Sequence, residues 1–255
     1  MKGSLSMGER LISITTPILL LVAWEVSGRL GWIDIRFFPP PSQILETLVK
    51  LAQSGELTRN TFVSLQRLFW GFLAGGIPAI VLGICMGLWR PVRLAIEPLV
   101  AATYPLPKSA ILPLVLLIFG LGEASKIVMV ALGVFYPIVI NTTSGVLQIP
   151  SMYLDVGKNF KASPWQTFRT IALPGALPSI FAGIKLGVGL GLILIAIAEM
   201  VGADSGIGYM IWNAWQILSI ETMYVGLLTI ALIGFALSLI LDEIEALVLP
   251  TRRGR

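Results

Sequence analysis

The sequence contains no histidine and a single cysteine, Cys85. Histidine is the commonest general base and metal ligand, so its absence argues against most acid–base and zinc chemistry. A lone thiol within an apolar run has no disulfide partner, and we expect it to serve packing. The phosphate-binding pattern Gly-x-x-x-x-Gly-Lys-Ser/Thr is also missing. We therefore expect no catalytic residue, no metal and no cofactor in this chain, and any ATP hydrolysis must fall to another polypeptide.

Charged residues are scarce as well, at 13% of 255 residues, whereas 56% are hydrophobic. The mean hydropathy of +0.87 exceeds what a soluble domain of this size can bury. The composition predicts an all-α, polytopic membrane helix bundle, with one transmembrane domain over residues 1–255. The net charge of +4 first reports membrane topology, so nucleic acid is not an expected partner.

About six stretches are apolar and long enough to cross a hydrocarbon core of about 30 Å. They are Ile12–Val26, Phe62–Leu88, Ile96–Phe119 with breaks, Ile127–Gln148, Ile180–Met200 and Val225–Leu241. We interpret the first as a retained span rather than a cleaved signal, because no small-residue cleavage site follows it.

The distribution of Lys and Arg predicts the orientation of these spans. Six crossings place both termini on one side, and ten cations fall on that side against five on the other. The ten are Lys2, Arg10, Arg90, Arg93, Lys158, Lys161, Arg169, Arg252, Arg253 and Arg255. Cytoplasmic loops carry the excess of positive charge, so both termini are predicted to be cytoplasmic.

The loop from Gly31 to Asn60 then lies outside and contains an amphipathic segment. Ser42 is a plausible helix cap ahead of the apolar residues Ile44, Leu45 and Leu48. We interpret this helix as a spacer packed on the bundle, and a dedicated contact for an external protein is the alternative.

Small residues recur at every fourth position in two of the stretches. The second stretch has Gly71, Gly75, Ala79, Gly83 and Gly87, and the fifth has Gly183, Gly187 and Gly191. Such a face lets helix backbones approach closely where hydrophobic collapse cannot drive association. We predict packing seams; hinges along a pathway are the alternative.

Prolines interrupt the third stretch around Tyr104–Ser109. A broken helix at membrane depth is tolerated only when it is buried in protein or faces an aqueous cavity. A lysine in a span usually finds water, a partner or a substrate, so Lys108 is either a pathway cation or an anchor reaching the cytoplasmic surface. The residues predicted to line a pathway are Tyr104, Lys108, Ser109, Asn141, Thr142 and Glu199.

Three further features accompany these spans. Arg67 and Lys185 lie near opposite ends of their helices and are interpreted as anchors that reach the membrane surface. The Gly-rich segment 201–209 lies outside, where a gate or an outer docking loop is expected. A plain re-entrant connection is the alternative.

Residues 150–175 form a polar, basic interruption that we predict to be a cytoplasmic docking loop. Its candidate contact residues are Asp155, Gly157, Lys161, Ala162, Ser163, Trp165, Phe168, Arg169, Leu173 and Pro174. A short helix from about Pro164 to Thr170 would press into a partner's cleft, with Trp165 and Phe168 as apolar anchors and Arg169 as a polar contact.

The spacing of this loop resembles the cytoplasmic motif of binding-protein-dependent ATP-binding-cassette importer permeases: Glu-Ala-Ala, three residues, Gly, nine residues, Ile, one residue, Leu-Pro. Its Glu-Ala-Ala falls on residues 155–157, its Gly on Lys161, and its last elements on Ile171, Leu173 and Pro174. Lys161 departs from the pattern, and a lysine there is costly if the turn needs a positive φ.

The resemblance covers almost the whole chain and is closest to the nitrate/sulfonate/taurine/bicarbonate permease group. The shared segments are 38–42 (Phe-Pro-Pro-Pro-Ser), 105–109 (Pro-Leu-Pro-Lys-Ser), 119–126 (Phe-Gly-Leu-Gly-Glu-Ala-Ser-Lys) and 205–209 (Ser-Gly-Ile-Gly-Tyr). It implies the type I importer permease fold in a bacterial inner membrane. It also implies, as partners, a second permease copy, two cytoplasmic ATPase subunits carrying ATP and Mg²⁺, an external solute-binding protein and membrane lipid.

The expected function is therefore membrane passage of a small oxyanion such as a sulfonate, taurine or nitrate. The same machinery could instead import a nitrogenous vitamin precursor such as a thiamine precursor. From other classes, a membrane scaffold or an intramembrane enzyme is possible; the docking motif weighs against the first, and the missing histidines weigh against the second.

Overall fold

The computed structural model describes residues 7–249, except for the side chains of Met7, Arg10 and Ile14. Within that range the chain is helical. The helices are α1 (Met7–Arg29), α2 (Pro41–Gln53), α3 (Glu56–Leu88), α4 (Arg90–Thr103), α5 (Leu112–Phe119), α6 (Glu123–Leu147), α7 (Ser151–Asn159), α8 (Pro164–Thr167), α9 (Leu173–Gly202), α10 (Ile207–Gln216) and α11 (Ile220–Val248). A 3₁₀ turn, Lys108–Ile111, precedes α5, and a π-helical turn, Phe168–Ala172, joins α8 to α9.

Five segments of the described chain are long and apolar enough to cross a membrane: α1, α3, α6, α11 and the continuous helical segment Pro164–Gly202. A sixth span is present if α4 and the segment Lys108–Phe119 count as one, although these two are bent by 87°. The predicted all-α membrane bundle is confirmed, and the predicted breaks in the third stretch correspond to this bend. The orientation of the termini stays a prediction, and of the cations counted for it, Lys2, Arg252, Arg253 and Arg255 lie outside the described residues.

Helices α3, α6 and α9 form the core, with α6 packed between the other two. Their buried side chains include Leu68, Val130, Val134, Ile138 and Leu192. Helices α1 and α11 lie at the periphery and expose apolar residues such as Leu20 and Phe235. A helix whose outer surface meets lipid has this distribution, because lipid tails are as apolar as leucine and exposing leucine to them has no hydrophobic cost.

Both glycine series pack against α6. A Cβ built on Gly75 would lie 2.3 Å from the Ala131 carbonyl oxygen, and one on Gly83 would lie 2.6 Å from the Thr142 Cβ. From the other side, a Cβ on Gly183 would lie 3.0 Å from the Ile138 Cα. Gly71, Gly187 and Gly191 meet the same helix at Val130, Val134 and Val130 respectively. The two seams therefore lie inside one copy of the chain and hold α3 and α9 against α6.

The predicted amphipathic helix is α2, and its apolar face places Ile44 in a buried position. The predicted cap at Ser42 is wrong. Helix α2 begins at Pro41, whose ring pre-sets the first helical φ, and the Ser42 backbone N–H and Oγ donate to the Glu25 carboxylate of α1 at 3.0 and 2.8 Å. An acid from the neighbouring helix thus satisfies a free N–H and complements the positive end of α2.

The α3–α6 contact generates a stability prediction for Gly75→Ala. The added methyl group would overlap the Ala131 backbone, so we expect the free energy of unfolding to fall by about 1–3 kcal/mol. Gly189→Ala is the control, because no atom lies within 4 Å of a Cβ at that position of α9. Unfolding of the purified protein in mixed detergent and SDS micelles, followed by circular dichroism, measures both. Equal stability of the two variants would contradict close packing at Gly75.

Candidate functional site

The break between α4 and α5 exposes backbone carbonyls that Lys108 satisfies. Pro105 and Pro107 prevent α4 from continuing. The Lys108 Nζ donates to the carbonyl oxygens of Thr103, Tyr104 and Leu106 at 3.0, 2.8 and 2.8 Å. Backbone groups at membrane depth need such partners, since no water is available in the hydrocarbon region. Lys108 therefore closes the end of the broken helix.

Lys108 lies at the depth of the middle of α6. Its Nζ is 4.1 Å from the ring centroid of Tyr136, and Tyr136 is next to the midpoint of Glu123–Leu147. A cation over an aromatic face is attracted by the ring quadrupole, by about 2 kcal/mol where water is excluded. This position disfavours the alternative that Lys108 reaches for the cytoplasmic surface.

A cavity of about 270 Å³ adjoins this lysine. Tyr104, Ser109 and Tyr136, which carry hydroxyl groups, are among its lining residues, and α9 contributes the apolar residues Leu190 and Ile193. The structure thus brings together Tyr104, Lys108 and Ser109, half of the residues predicted to line a pathway.

The other predicted pathway residues lie elsewhere. Asn141 donates to the Pro137 carbonyl at 2.8 Å and packs on Gly183, and Thr142 is buried against Gly83. Glu199 is fully buried near the far end of α9. None of these three borders the cavity beside Lys108, and their place on a pathway stays a prediction.

Glu199 and Arg67 form the buried part of an ionic cluster, and Glu123, whose side chain is 62% exposed, pairs with Arg67 at its edge. The Arg67 Nη1 is 3.0 Å from Glu199 Oε1, and its Nη2 is 2.6 Å from Glu123 Oε1. The interpretation of Arg67 as a surface-reaching anchor is wrong, because its side chain is only 2% exposed. A fully buried carboxylate needs a compensating charge, and Arg67 supplies it.

Glu199 also caps the start of α10, together with Asn60 and Ser64 of α3. The backbone N–H groups of Gly206, Ile207 and Gly208 donate to Asn60 Oδ1, Ser64 Oγ and Glu199 Oε2, each at 2.9 Å. These are N–H groups that a helix N-terminus leaves without partners. The segment 201–209 contains the capped start of this helix, and its role as a gate, a docking loop or a plain re-entrant connection stays a prediction. Gly206 is required there by its φ of +111°.

Two further lysines connect helices. Lys126 is buried and donates to the carbonyl oxygens of Leu121, Gly122 and Gly202, which ties the α5–α6 connection to the end of α9. Lys185 is partly exposed and pairs with Asp242 and with Glu245, the latter at 2.6 Å. The anchor predicted at Lys185 is thus an ion pair between α9 and α11.

Sequence reasoning did not assign Asn60 or Ser64, although a signal exists. Asn60, Ser64 and Arg67 follow the helical spacing of four and three residues, so they lie on one face of α3. A polar face in an apolar span indicates a buried partner.

The turn after α7 has the geometry of a Schellman motif. The Ala162 N–H donates to the Gly157 carbonyl and the Lys161 N–H donates to the Lys158 carbonyl, both at 2.9 Å. Lys161 has φ +51°, in the left-handed region where glycine is preferred. The turn therefore takes the positive φ that makes a lysine costly at this position.

Two contacts shape the rest of the docking loop. A Cβ on buried Gly157 would lie 2.9 Å from Ile171 Cδ1, so α7 packs directly on the π-helical turn. Ser163 caps α8, and its side chain and that of Gln166 form a reciprocal capping box. The predicted helix Pro164–Thr170 is instead α8 followed by the π-helical turn, and both run on into α9.

The surface of this loop carries exposed aromatic residues. Trp165 is 65% exposed and stacks on Phe168 with 5.2 Å between ring centroids. Phe168 itself is partly buried beneath the loop, whereas Phe160, which sequence reasoning did not assign, is 83% exposed. The remaining predicted contact residues divide into exposed Asp155, Arg169 and Pro174, and partly buried Ala162 and Leu173.

Comparisons with known proteins place these features in context. Residues 79–254 match the family described as binding-protein-dependent transport system inner membrane component. The chain is 33% identical over 244 residues to the taurine transport system permease protein TauC of Escherichia coli (strain K12), covering 94% of this chain and 89% of TauC. It is 33% identical over 218 residues to the putative aliphatic sulfonates transport permease protein SsuC of Bacillus subtilis (strain 168), covering 86% and 79%.

The nitrate import permease protein NrtB of Synechocystis sp. (strain ATCC 27184 / PCC 6803 / Kazusa) is 32% identical over 246 residues, covering 92% of this chain and 88% of NrtB. Among solved structures, a chain of the inward-facing MetNI methionine ABC transporter superposes with a TM-score of 0.57 at 21% identity. That match covers 72% of this chain and 90% of the other, and it shows a shared fold.

The buried cluster predicts a large effect of Arg67→Met. Removing the cation leaves Glu199 buried without compensation, so the free energy of unfolding should fall by about 3–5 kcal/mol. The control is Arg59→Met on the exposed side of α3, expected to stay within about 0.5 kcal/mol. Adding Glu199→Gln to Arg67→Met should recover part of the loss. Unfolding in detergent measures all three, and a double variant no more stable than the single one would refute the compensation.

The Schellman turn predicts that Lys161→Gly is stabilising. The left-handed conformation is strained by about 1–2 kcal/mol in a residue with a Cβ, and glycine has no such strain. Lys161→Ala removes the charge but keeps the Cβ, so no gain is expected from it. Amide hydrogen exchange of residues 151–162 should slow in the glycine variant alone. Equal slowing in the alanine variant would trace the effect to charge instead.

Proposed function

Since the chain belongs to the family of binding-protein-dependent transport system inner membrane components, we propose that it is the permease through which an importer passes a small oxyanion across the bacterial inner membrane. The chain is an ABC importer permease subunit and not an enzyme, because its relatives are transport permeases. The oxyanion class of sulfonate, taurine or nitrate is the proposed part. One observation carries it: Lys108 holds a positive charge at mid-span beside a cavity.

The relatives named above transport taurine, aliphatic sulfonates and nitrate, all of which carry a negatively charged oxygen group. A cation in a low-dielectric passage lowers the barrier for an anion, because the Coulomb interaction is weakly screened there. The position of Lys108 is thus the feature of this chain that suits such a substrate.

The proposed assembly contains two copies of this chain, two cytoplasmic ATPase subunits that bind ATP and Mg²⁺, and an external solute-binding protein. Both termini are placed in the cytoplasm, following the excess of Lys and Arg on that side. The docking loop then faces the ATPase subunits, and α10 with its cap lies on the outer side.

The proposed coupling path is a single helical segment. Helix α8, the π-helical turn and α9 run without interruption from Pro164 to Gly202. At about 1.5 Å per residue, these 39 residues are longer than the hydrocarbon core is thick. Glu199 near the outer end joins this segment to α10 and to Arg67 of α3. A displacement of α8 by the ATPase would therefore move α9 and α10 together.

The proposed contact with the ATPase is the exposed apolar surface of the docking loop. Met152, Val156, Phe160 and Trp165 are 65%, 47%, 83% and 65% exposed. Side chains of this kind on a cytoplasmic loop have no lipid to cover them, and clustered aromatic residues are typical anchors of protein interfaces.

The test of this assignment is the double variant Phe160→Ala/Trp165→Ala. Loss of both anchors should reduce recovery of the ATPase subunit with the solubilised permease at least tenfold and abolish uptake by the reconstituted complex. Trp32→Ala/Phe37→Ala is the matched control, because these residues are 74% and 61% exposed in the loop proposed to lie outside. Its ATPase recovery should equal that of the wild type. Normal recovery and uptake with the docking-loop variant would remove the assignment.

A further inference from the structure

We propose that the cavity beside Lys108 favours a monoanion with an apolar chain, such as an alkanesulfonate, over a zwitterion such as taurine and over a bare oxyanion such as nitrate. This inference rests on the proposed function, because it narrows the substrate class of the same pathway. It is argued from the charges, the hydroxyl groups and the apolar wall of the cavity.

The charge that lines the cavity is positive only. Lys108 is the only charged residue among those that line it, and no Asp or Glu is present there. The acid on α4, Glu97, borders a different cavity, which lies against Ile140 and Leu147 toward the end of α6. The ammonium of a zwitterion would therefore meet Lys108 and an apolar wall without a carboxylate partner. An ammonium at this wall is repelled by Lys108 and has no opposite charge to pair with, so the cavity disfavours that ligand.

Three hydroxyl-bearing residues line the cavity beside Lys108. Lys108 already gives its three N–H groups to backbone carbonyls, so it contributes chiefly its positive charge. The hydroxyls of Tyr104, Ser109 and Tyr136 are not engaged by other side chains or backbone groups within residues 7–249. Hydroxyl donors beside a fixed cation suit the oxygens of a sulfonate, because charge-assisted hydrogen bonds are the stronger kind.

The rest of the lining is apolar and suits a hydrocarbon chain. Leu132 of α6 and Leu190, Ile193, Leu194 and Ile197 of α9 form this wall. Removal of a ligand methylene from water against such a surface is favourable. Nitrate has no group that gains from this wall. The volume of about 270 Å³ lies near the lower end of ligand sites, so the chain must be short.

The test uses the purified full-length permease in lipid nanodiscs, with butane-1-sulfonate, taurine and sodium nitrate as probes in isothermal titration. We expect butane-1-sulfonate to bind at least tenfold more tightly than either of the others. Lys108→Gln should weaken its binding at least tenfold, and Lys108→Arg should stay within about threefold of the wild type, because the charge is retained. Lys185→Gln is the control: its ion pairs join α9 to α11 away from the cavity, so affinity should not change.

Lys108 also supports the end of α4, so its replacement by Gln could unfold the protein. Tyr136→Phe therefore serves as a second variant, since it keeps the ring over Lys108 and removes only the hydroxyl. It should weaken butane-1-sulfonate binding about threefold to tenfold with unchanged thermal stability.

Preference for taurine or nitrate, or no binding of any probe to the wild type, would overturn the inference. Unchanged affinity in folded Lys108→Gln and Tyr136→Phe would do the same. The importer assignment would survive those outcomes, because the docking-loop experiment tests it separately.

Discussion

The buried carboxylate of Glu199 is the constraint on which the packing of α3, α9 and α10 depends. A charge with no exposed surface must be compensated locally, and three groups from two helices provide the compensation: Arg67 and Ser64 of α3, and the Gly208 N–H at the start of α10. Each donor occupies a fixed direction around the carboxylate. Helices α3, α9 and α10 therefore cannot shift independently without leaving a buried group unpaired.

At two breaks in the helices, a lysine donates hydrogen bonds to backbone carbonyl oxygens. Lys108 closes the end of α4, and Lys126 closes the junction between the α5–α6 connection and the end of α9, each by donating to three carbonyl oxygens. An ammonium has three N–H donors on a flexible stem, which suits a cluster of carbonyls that no helix satisfies. At these two breaks, a cation therefore satisfies the backbone carbonyls that the interrupted helices leave without partners.

The parts of this architecture that depend on local pattern were predictable. Apolar stretches revealed the spans, fourfold glycine spacing revealed the faces against α6, and the motif register pointed to a positive φ at Lys161. The errors concern partners distant in the chain. Arg67 resembles a surface anchor until Glu199, at a separation of 132 residues, is brought against it. Ser42 likewise resembles a cap until Glu25 of another helix takes its N–H. Hydropathy and helical period carry no information about such pairs.

The wall of the Lys108 cavity connects the two regions that are proposed to act in transport, the cavity and the docking loop. Leu190, Ile193 and Ile197 belong to α9, which is the helix that continues from the docking loop. Lys108 and its carbonyl partners belong to the broken segment beside it, and Tyr136 belongs to α6. Movement of α9 against this segment would change the apolar wall while Lys108 stays on its carbonyls and on Tyr136. If the proposed anion binds here, a fixed cation facing a mobile apolar wall would hold its head in one place while the fit of its chain varies. The affinity for the proposed substrate would then depend on the position of the docking loop.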